Sequence, residues 1–444
     1  MKRIAIIGSG ISGLTVAHCL SQQKDAQLEK VEQRQALELT VYESESRIGG
    51  HTATIDIDDD GNRQAIDTGF IVYNDWTYPN FIKLIDQLGV ESRPTAMSFS
   101  VSCEQTGLEY AGSNLNALFA QRGNLLRPAY WNMLRDILRF NKESIIDFEA
   151  GKLDAGMSLG EYLKKGAYGR PFVEKYLVPM GAAIWSSGTE GMFEFPALFF
   201  VRFFKNHGLL SVKNRPQWRT LVGGSRAYLG PLTENFSQEV IRLNSKIDKI
   251  NRENDAVFIR HSDGRVETYD AVVFATHSDQ ALALLENPSP LEKEILGAIP
   301  YQANDVVLHT DINLLPKRQL AWSSWNYRLT GDASDAQQAK LTYNMNILQG
   351  LQSRKTFCVS LNQSSNIAEE HILGRYNYSH PVFSMQSVAA QQRWVELAGE
   401  MNTWYCGAYW RNGFHEDGVA SGLNVVGSMD KLLLQDGTIG NAAA

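Results

Sequence analysis

The apolar and polar positions of the first fifty residues describe a buried strand, a glycine turn, a helix and a second strand. Lys2 to Ile7 is a short Ile-rich run, Gly8-Ser9-Gly10-Ile11-Ser12-Gly13 follows without a gap, and Leu14 to Leu20 continues with helical character. Leu37 to Tyr42 alternates like a strand and closes on Glu43, and the charged segment Lys24 to Gln35 reads as a surface extension of the helix. Thr52 to Ile57 and Gln64 to Ile66 read as strands about a turn at Asp58 to Asn62. Pro79 to Gly89 is an amphipathic helix with a glycine stop.

From Val90 to Gln217 helical periodicity dominates, at Tyr130 to Phe148, Ser158 to Lys164 and Pro171 to Leu177. Phe193 to Phe204 then places six phenylalanines in twelve residues. That segment reads as a buried helix, as the lining of an apolar channel, or as a surface resting on a bilayer through Arg202 and Lys205. A helix is predicted over Ala227 to Gln238 and strands over Val240 to Ile250. Ala256 to His261 and Val266 to Tyr269 make a hairpin over Asp263-Gly264, and Asp270 to Thr276 is a buried parallel strand. Asp305 to Thr310 and Thr356 to Leu361 look like strands. Trp404 to Tyr409 is a strand running into the glycine-rich 413–422, which opens a helix at Leu423 to Leu434, and the tail Gly437 to Ala444 is expected to fray.

The G-x-G-x-x-G at Gly8, Gly10 and Gly13 sits between a strand and a helix, the context in which it binds a dinucleotide. The first Gly makes the turn, the second lets backbone approach a pyrophosphate, and the third lets helix and strand pack closely. Ile11 and Ser12 open the helix whose N–H groups would hold the phosphates. Glu43 ends the second strand, where a carboxylate accepts hydrogen bonds from ribose hydroxyls and repels a 2′-phosphate. Ser44, Arg47, Gly49, Gly50 and His51 follow as E-x-x-x-R-x-G-G-H.

This second motif resembles the start of the flavin-containing amine oxidases and their relatives, the protoporphyrinogen oxidases and carotenoid desaturases, although that superfamily usually has arginine where His51 stands. The resemblance continues in order along the chain: Asp67-Thr68-Gly69-Phe70, Gly223-Gly224 before a helix, Ile247 in the strand that meets the adenine end, Ala275 and Thr276 closing a D-x-V-V-x-A-T strand, and Gly407 with Gly418, Val419 and Ala420 near the C-terminus. It implies FAD, bound by those residues together with the first two motifs. An NAD-only dehydrogenase would not need the second motif. It also implies α/β plus α+β architecture: a Rossmann-like FAD-binding domain from 1–89, 218–285 and 399–444, and a discontinuous mixed α+β substrate domain from 90–217 and 286–398.

The 444 residues are 43% hydrophobic and 20% charged, with a formal charge of −7, which argues against a nucleic-acid partner. Cys19, Cys103, Cys358 and Cys406 show no C-x-x-C spacing, so neither a disulfide framework nor a zinc site is expected, and a cytoplasmic protein with reduced thiols is the simplest reading. Asp58 to Asp60 read as a solvated turn rather than a metal site. The apolar run after Lys2-Arg3 is too short for a secretion signal, and no run of about 18 uncharged apolar residues predicts a membrane span.

Hydride transfer to a flavin needs no obligatory acid or base, and His51, Tyr73 and His415 are the candidates for proton transfer, each beside a motif placed at the flavin by resemblance. Cys406 reads as a small buried thiol rather than a tether for FAD. The G-F-I-V-Y-N segment resembles a bacterial branch associated with cyclopropane-fatty-acid-synthase-like methyltransferases. That resemblance, together with the phenylalanine-rich segment, makes a lipid acyl chain the leading substrate, and it implies a lipid-modifying methyltransferase as partner. Access to such a substrate calls for peripheral contact with the inner membrane face, with Arg202, Lys205, Arg135 and Arg139 as the candidates to meet anionic headgroups. The alternatives are oxidation of a small amine or polyamine, and a flavin-binding accessory subunit with no turnover of its own.

Overall fold

Ile4, Ala5 and Ile6 are fully buried because their strand runs through the middle of a parallel sheet, covered on both faces. The computed structural model describes residues 1–30, 36–236, 240–331 and 336–429. The outer part of the predicted helix extension, the end of the helix expected at 227–238, the last residues of the helix expected at 423–434 and the tail Gly437 to Ala444 lie outside them.

The chain divides into two compact units, one of residues 1–50, 228–299 and 389–444, the other of 51–227 and 300–388. In the first, β1 (Lys2–Ile7) lies between β2 (Leu37–Tyr42) and the strand Ala271–Phe274, with Ile241–Arg242 and Thr403–Tyr405 at the edges, all parallel. Helix α1 (Ile11–Lys30) makes the crossover from β1 to β2. Val16, Ala17 and Leu20 of α1 pack with Ile4, Ile6, Val41, Val273, Trp404 and Val425 in one core. The strands Ile247–Glu253, Ala256–His261 and Val266–Tyr269 form a separate antiparallel sheet.

A buried ion pair that no sequence pattern announced lies in this unit. Arg252 faces Glu292 with both oxygens engaged, and the side chains are 3% and 4% exposed. Tyr405 Oη and the Ser289 N–H also donate to Glu292, at 2.5 and 2.7 Å.

The second unit is built on a seven-stranded mixed sheet in the order 372–381, 301–309, 358–361, 341–344, 325–329, 99–103 and 108–111. Its helices include Pro128–Glu149, Leu159–Lys165 and Ala197–Asn206. Residues 51–89 and 218–227, expected with the nucleotide-binding part, group by their contacts with this unit. Ile55, Ile57, Ile66 and Ile71 share a core with Val306, Leu308 and Val359 of the large sheet, and tertiary packing of that kind leaves no mark on sequence spacing.

The phenylalanine-rich segment is core. Phe195, Phe199, Phe200, Phe203 and Phe204 are each no more than 4% exposed, and Trp185, Phe383 and His207 stack against them. Lys205 pairs with Glu149 at 2.9 Å and Arg202 lies over the Phe199 ring. The bilayer-surface expectation for these phenylalanines is therefore corrected: five aromatic side chains gain more from burial against one another than from any surface role.

Candidate functional site

The glycine turn after β1 is closed by backbone. Gly8 N–H donates to Tyr42 O at 2.8 Å with φ +105°, and a Cβ there would lie 2.8 Å from Ala275 O. A Cβ on Gly13 would stand 2.1 Å from Gly8 O, so only glycine lets α1 sit this close to the strand ends. At Gly10 the space is open, with no atom within 4 Å of where a Cβ would be. Two positions need glycine for packing, and the third leaves a gap beside the N–H groups that begin α1.

The second glycine pair meets the first. Gly49 N–H donates to Ser9 O at 2.9 Å, Gly10 and Gly49 form a parallel bridge, and a Cβ on Gly50 (φ +55°) would lie 3.4 Å from Gly10 Cα. The Arg47 guanidinium folds back to donate to Gly50 O at 2.9 Å and holds the loop's shape. Glu43 is buried at the end of β2. Its Oε2 accepts from the Ser9 N–H at 3.1 Å and the Ser9 hydroxyl at 2.5 Å, and its Oε1 from the Glu45 N–H at 3.0 Å and, more weakly, Ser44 at 3.4 Å. Oε1 is thus the oxygen with capacity left for a ribose hydroxyl. Ser9, a member of the motif with no glycine's role, was not singled out by sequence reasoning. Residues 242–245 back this corner, with Glu43 N–H donating to Arg242 O and Ser245 N–H to Glu43 O, and Ile247 begins the next strand.

Ala275 N–H donates to Ile7 O at 2.8 Å, which places Ala275 and Thr276 beside the glycine turn. Gly407 N–H donates to the Ser421 hydroxyl at 3.1 Å. The C-terminal helix starts earlier than its glycine-rich sequence suggested and runs His415–Ser428. Gly418, Val419 and Ala420 therefore lie inside the helix rather than in a loop before it. A Cβ on Gly418 would be 2.8 Å from Ile11 Cγ2, and one on Gly422 would be 2.8 Å from Ser12 O, so these glycines serve contact with α1. The first turn of this helix is made by His415, Glu416 and Asp417. The Asp417 carboxylate accepts from the Phe414 N–H at 2.9 Å, and burial pushes its pKa up to about 7. His415 is buried with Nε2 2.9 Å from the Tyr228 hydroxyl. Cys406 is fully buried in the sheet core, and burial pushes its thiol pKa far up, as befits a packing residue.

In the second unit, Phe70 N–H donates to His51 O at 2.8 Å, and a Cβ on Gly69 would lie 2.1 Å from that oxygen. The Thr68 hydroxyl lies 2.9 Å from the Tyr378 hydroxyl. The His51 ring stands 5.2 Å from the Tyr378 ring and 5.7 Å from that of His380. Burial, with His51 beside it, pushes the pKa of His380 down to about 3 and keeps its imidazole neutral. Tyr73 is placed elsewhere, packed edge-on with Phe81 and tilted against Tyr78. Of the two proton-transfer candidates in this unit, His51 and Tyr73, His51 joins this polar-aromatic cluster. Tyr378 and His380 lie two residues apart on one face of the strand Ile372–Pro381, which sequence reading passed over.

These residues fit FAD: a gap at Gly10 before a helix N-terminus, a buried carboxylate with one oxygen available, and a second glycine loop held against the first. The family model for flavin-containing amine oxidoreductases matches residues 11–311, more than half of the chain. The chain belongs to the flavin-containing amine oxidoreductase family. As a member of that family it is an FAD-dependent oxidoreductase, to which FAD supplies the hydride acceptor.

Solved structures share the family fold. The CLA-producing fatty acid isomerase from P. acnes is 15% identical with a TM-score of 0.67, over 97% of this chain and 99% of that one. Cyclohexylamine oxidase from Brevibacterium oxydans IH-35A is 14% identical with a TM-score of 0.64 over the same shares. Putrescine oxidase bound to putrescine is 12% identical with a TM-score of 0.65, over 96% of this chain and 98% of that one. No curated protein matches the sequence.

Proposed function

We propose that this oxidoreductase removes a hydride equivalent from the acyl chain of a fatty acid or phospholipid. The observation that carries the reading is the character of the His51 cluster. Tyr378, His380 and His51 present aromatic rings, and His380 is held neutral. Such a surface suits an uncharged C–H substrate, whereas an ammonium calls for a carboxylate or an aromatic cage. Tyr376 and Tyr378 are parallel with centroids 6.3 Å apart, close to the two-residue repeat of a strand, so they form a ladder rather than a cage. The fatty acid isomerase among the structural neighbours acts on an acyl chain, which supports the reading.

In this reading FAD is held by Gly8, Gly10, Gly13, Glu43, Gly49 and Gly50, and His51 is the residue that holds or moves a proton. Association with a lipid-modifying methyltransferase belongs to the same proposal. The test is anaerobic reduction of the bound flavin by a panel of fatty acids, phospholipids, monoamines and polyamines. Bleaching by an acyl substrate is expected, and bleaching by amines alone overturns the proposal. Reduction by no member of the panel favours an accessory flavin subunit.

A further inference from the structure

The long helix Pro128–Glu149 buries Tyr130, Met133, Phe140 and Ser144 on one face. Trp131, Arg135, Leu138, Lys142 and Ile146 recur every three or four residues on another, a stripe about 80° wide at 100° per residue. Trp131 is 48% exposed, Leu138 59% and Ile146 48%. Just before the helix, Leu126 is 88% exposed and Leu115 75%, with Leu125 beside them at 46%. Residues 115–146 thus hold six of the 18 exposed large hydrophobic side chains of the described residues.

Charge follows the same segment. Residues 115–146 carry Arg122, Arg127, Arg135, Arg139 and Lys142 against Asp136 and Glu143, a local +3 in a chain of −7, with Arg139 paired to Asp136 at 3.4 Å and to Glu143 at 4.0 Å. Asp136 is buried and accepts from the Gly169 N–H, and farther along the helix Glu143 and Asp147 hold Tyr168 and Tyr162. Glu149, at the far end of the stripe, pairs with Lys205. An open cleft of about 310 Å³ lined by Asn132, Arg135 and Arg139 adjoins the stripe.

Exposed Leu and Trp alternate here with Arg135 and Lys142, which make no ion pair among the described residues. They match a surface whose apolar side chains enter the headgroup boundary while the cations meet phosphate. We infer that this face docks reversibly on a bilayer containing anionic phospholipid. The inference rests on this surface and holds whichever substrate is turned over.

The test is flotation of the FAD-loaded protein with vesicles of phosphatidylcholine and phosphatidylglycerol in equal parts, against phosphatidylcholine alone. Salt-sensitive flotation with the anionic vesicles is expected. Leu126→Glu with Trp131→Glu, and separately Arg135→Glu with Lys142→Glu, are each expected to weaken it about tenfold or more while the flavin spectrum is kept. No flotation of the wild type above the neutral-vesicle level overturns the inference, as does undiminished flotation of the variants. Should those variants misfold, Leu126→Cys carrying an environment-sensitive dye gives a second readout against wild type treated alike. A blue shift on anionic vesicles is expected, and its absence overturns the inference. Capture of a protein partner by this face without vesicle binding overturns it as well.

Discussion

Asp67 and Ser225, 158 residues apart in sequence, are joined by three hydrogen bonds. The Ser225 N–H donates to both carboxylate oxygens of Asp67 at 2.8 and 3.0 Å, and its hydroxyl donates to Oδ1 at 2.9 Å. Thr54 Oγ1 and Gln349 Nε2 donate to the same fully buried carboxylate at 2.6 and 2.9 Å. Gly223 and Gly224, at φ +82° and +88°, bring the Ser225 amide to it. Burial raises the Asp67 pKa to about 6 against the pull of these donors. The D-x-G and G-G motifs are thus two halves of one clasp.

Asp67→Ala is expected to lower stability by roughly 1–3 kcal/mol for each buried donor it leaves unsatisfied. Asp67→Asn, which keeps an acceptor, is expected to cost less. Chemical denaturation of the two variants checks the order, and equal stability of Asp67→Ala and wild type contradicts the clasp.

The cofactor released on heating is expected to be FAD. Glu43→Ala is expected to weaken its binding by about 1–3 kcal/mol, since the substitution removes the acceptor for ribose and also frees Ser9. Titration of apoprotein with FAD measures the change. Gly13→Ala is expected to lose flavin outright, because the new Cβ would meet Gly8 O at 2.1 Å.

Arg252→Met, leaving Glu292 charged and buried alone, is expected to cost about 3–5 kcal/mol. Replacing both residues by apolar ones is expected to recover much of that loss. A double-mutant cycle on thermal stability reads the difference, and additive losses would count against a coupled pair.

His309 is fully buried between the Ser360 hydroxyl, 2.8 Å from Nε2, and the Asp311 N–H, which donates to Nδ1 at 3.1 Å. Only the neutral ring satisfies both neighbours, and burial pushes its pKa down from 6.5 to about 4. Between those values the unfolded chain binds a proton that the folded one does not. The contribution is therefore intact above pH 6.5 and falls with pH by up to roughly 1.4 kcal/mol per unit. Relative to His309→Gln, wild type is expected to lose stability as pH drops from 6.5 to 4. Parallel pH profiles for the two proteins would show that His309 does not titrate this way.

The sequence by itself determined several strands of the parallel-sheet unit to the residue. β1, β2 and the 256–261 and 266–269 hairpin end where the pattern placed them, because strand period, turn glycines and buried apolar runs are all local signals. The order of the FAD motifs was legible for the same reason, since each is a short strand–turn or turn–helix contact. The tertiary structure alone decided what those residues touch. Gly418 and Gly422 read as loop because their need for glycine comes from α1, some four hundred residues earlier. Phe195 to Phe204 and Trp131 to Ile146 both combine apolar with basic residues, and only packing buries the phenylalanines of the first while leaving the second an exposed stripe beside its buried face. Arg252 with Glu292, Asp67 with Ser225, and His51 with Tyr378 and His380 are pairings across distant sequence, and a single chain's periodicity holds no record of them.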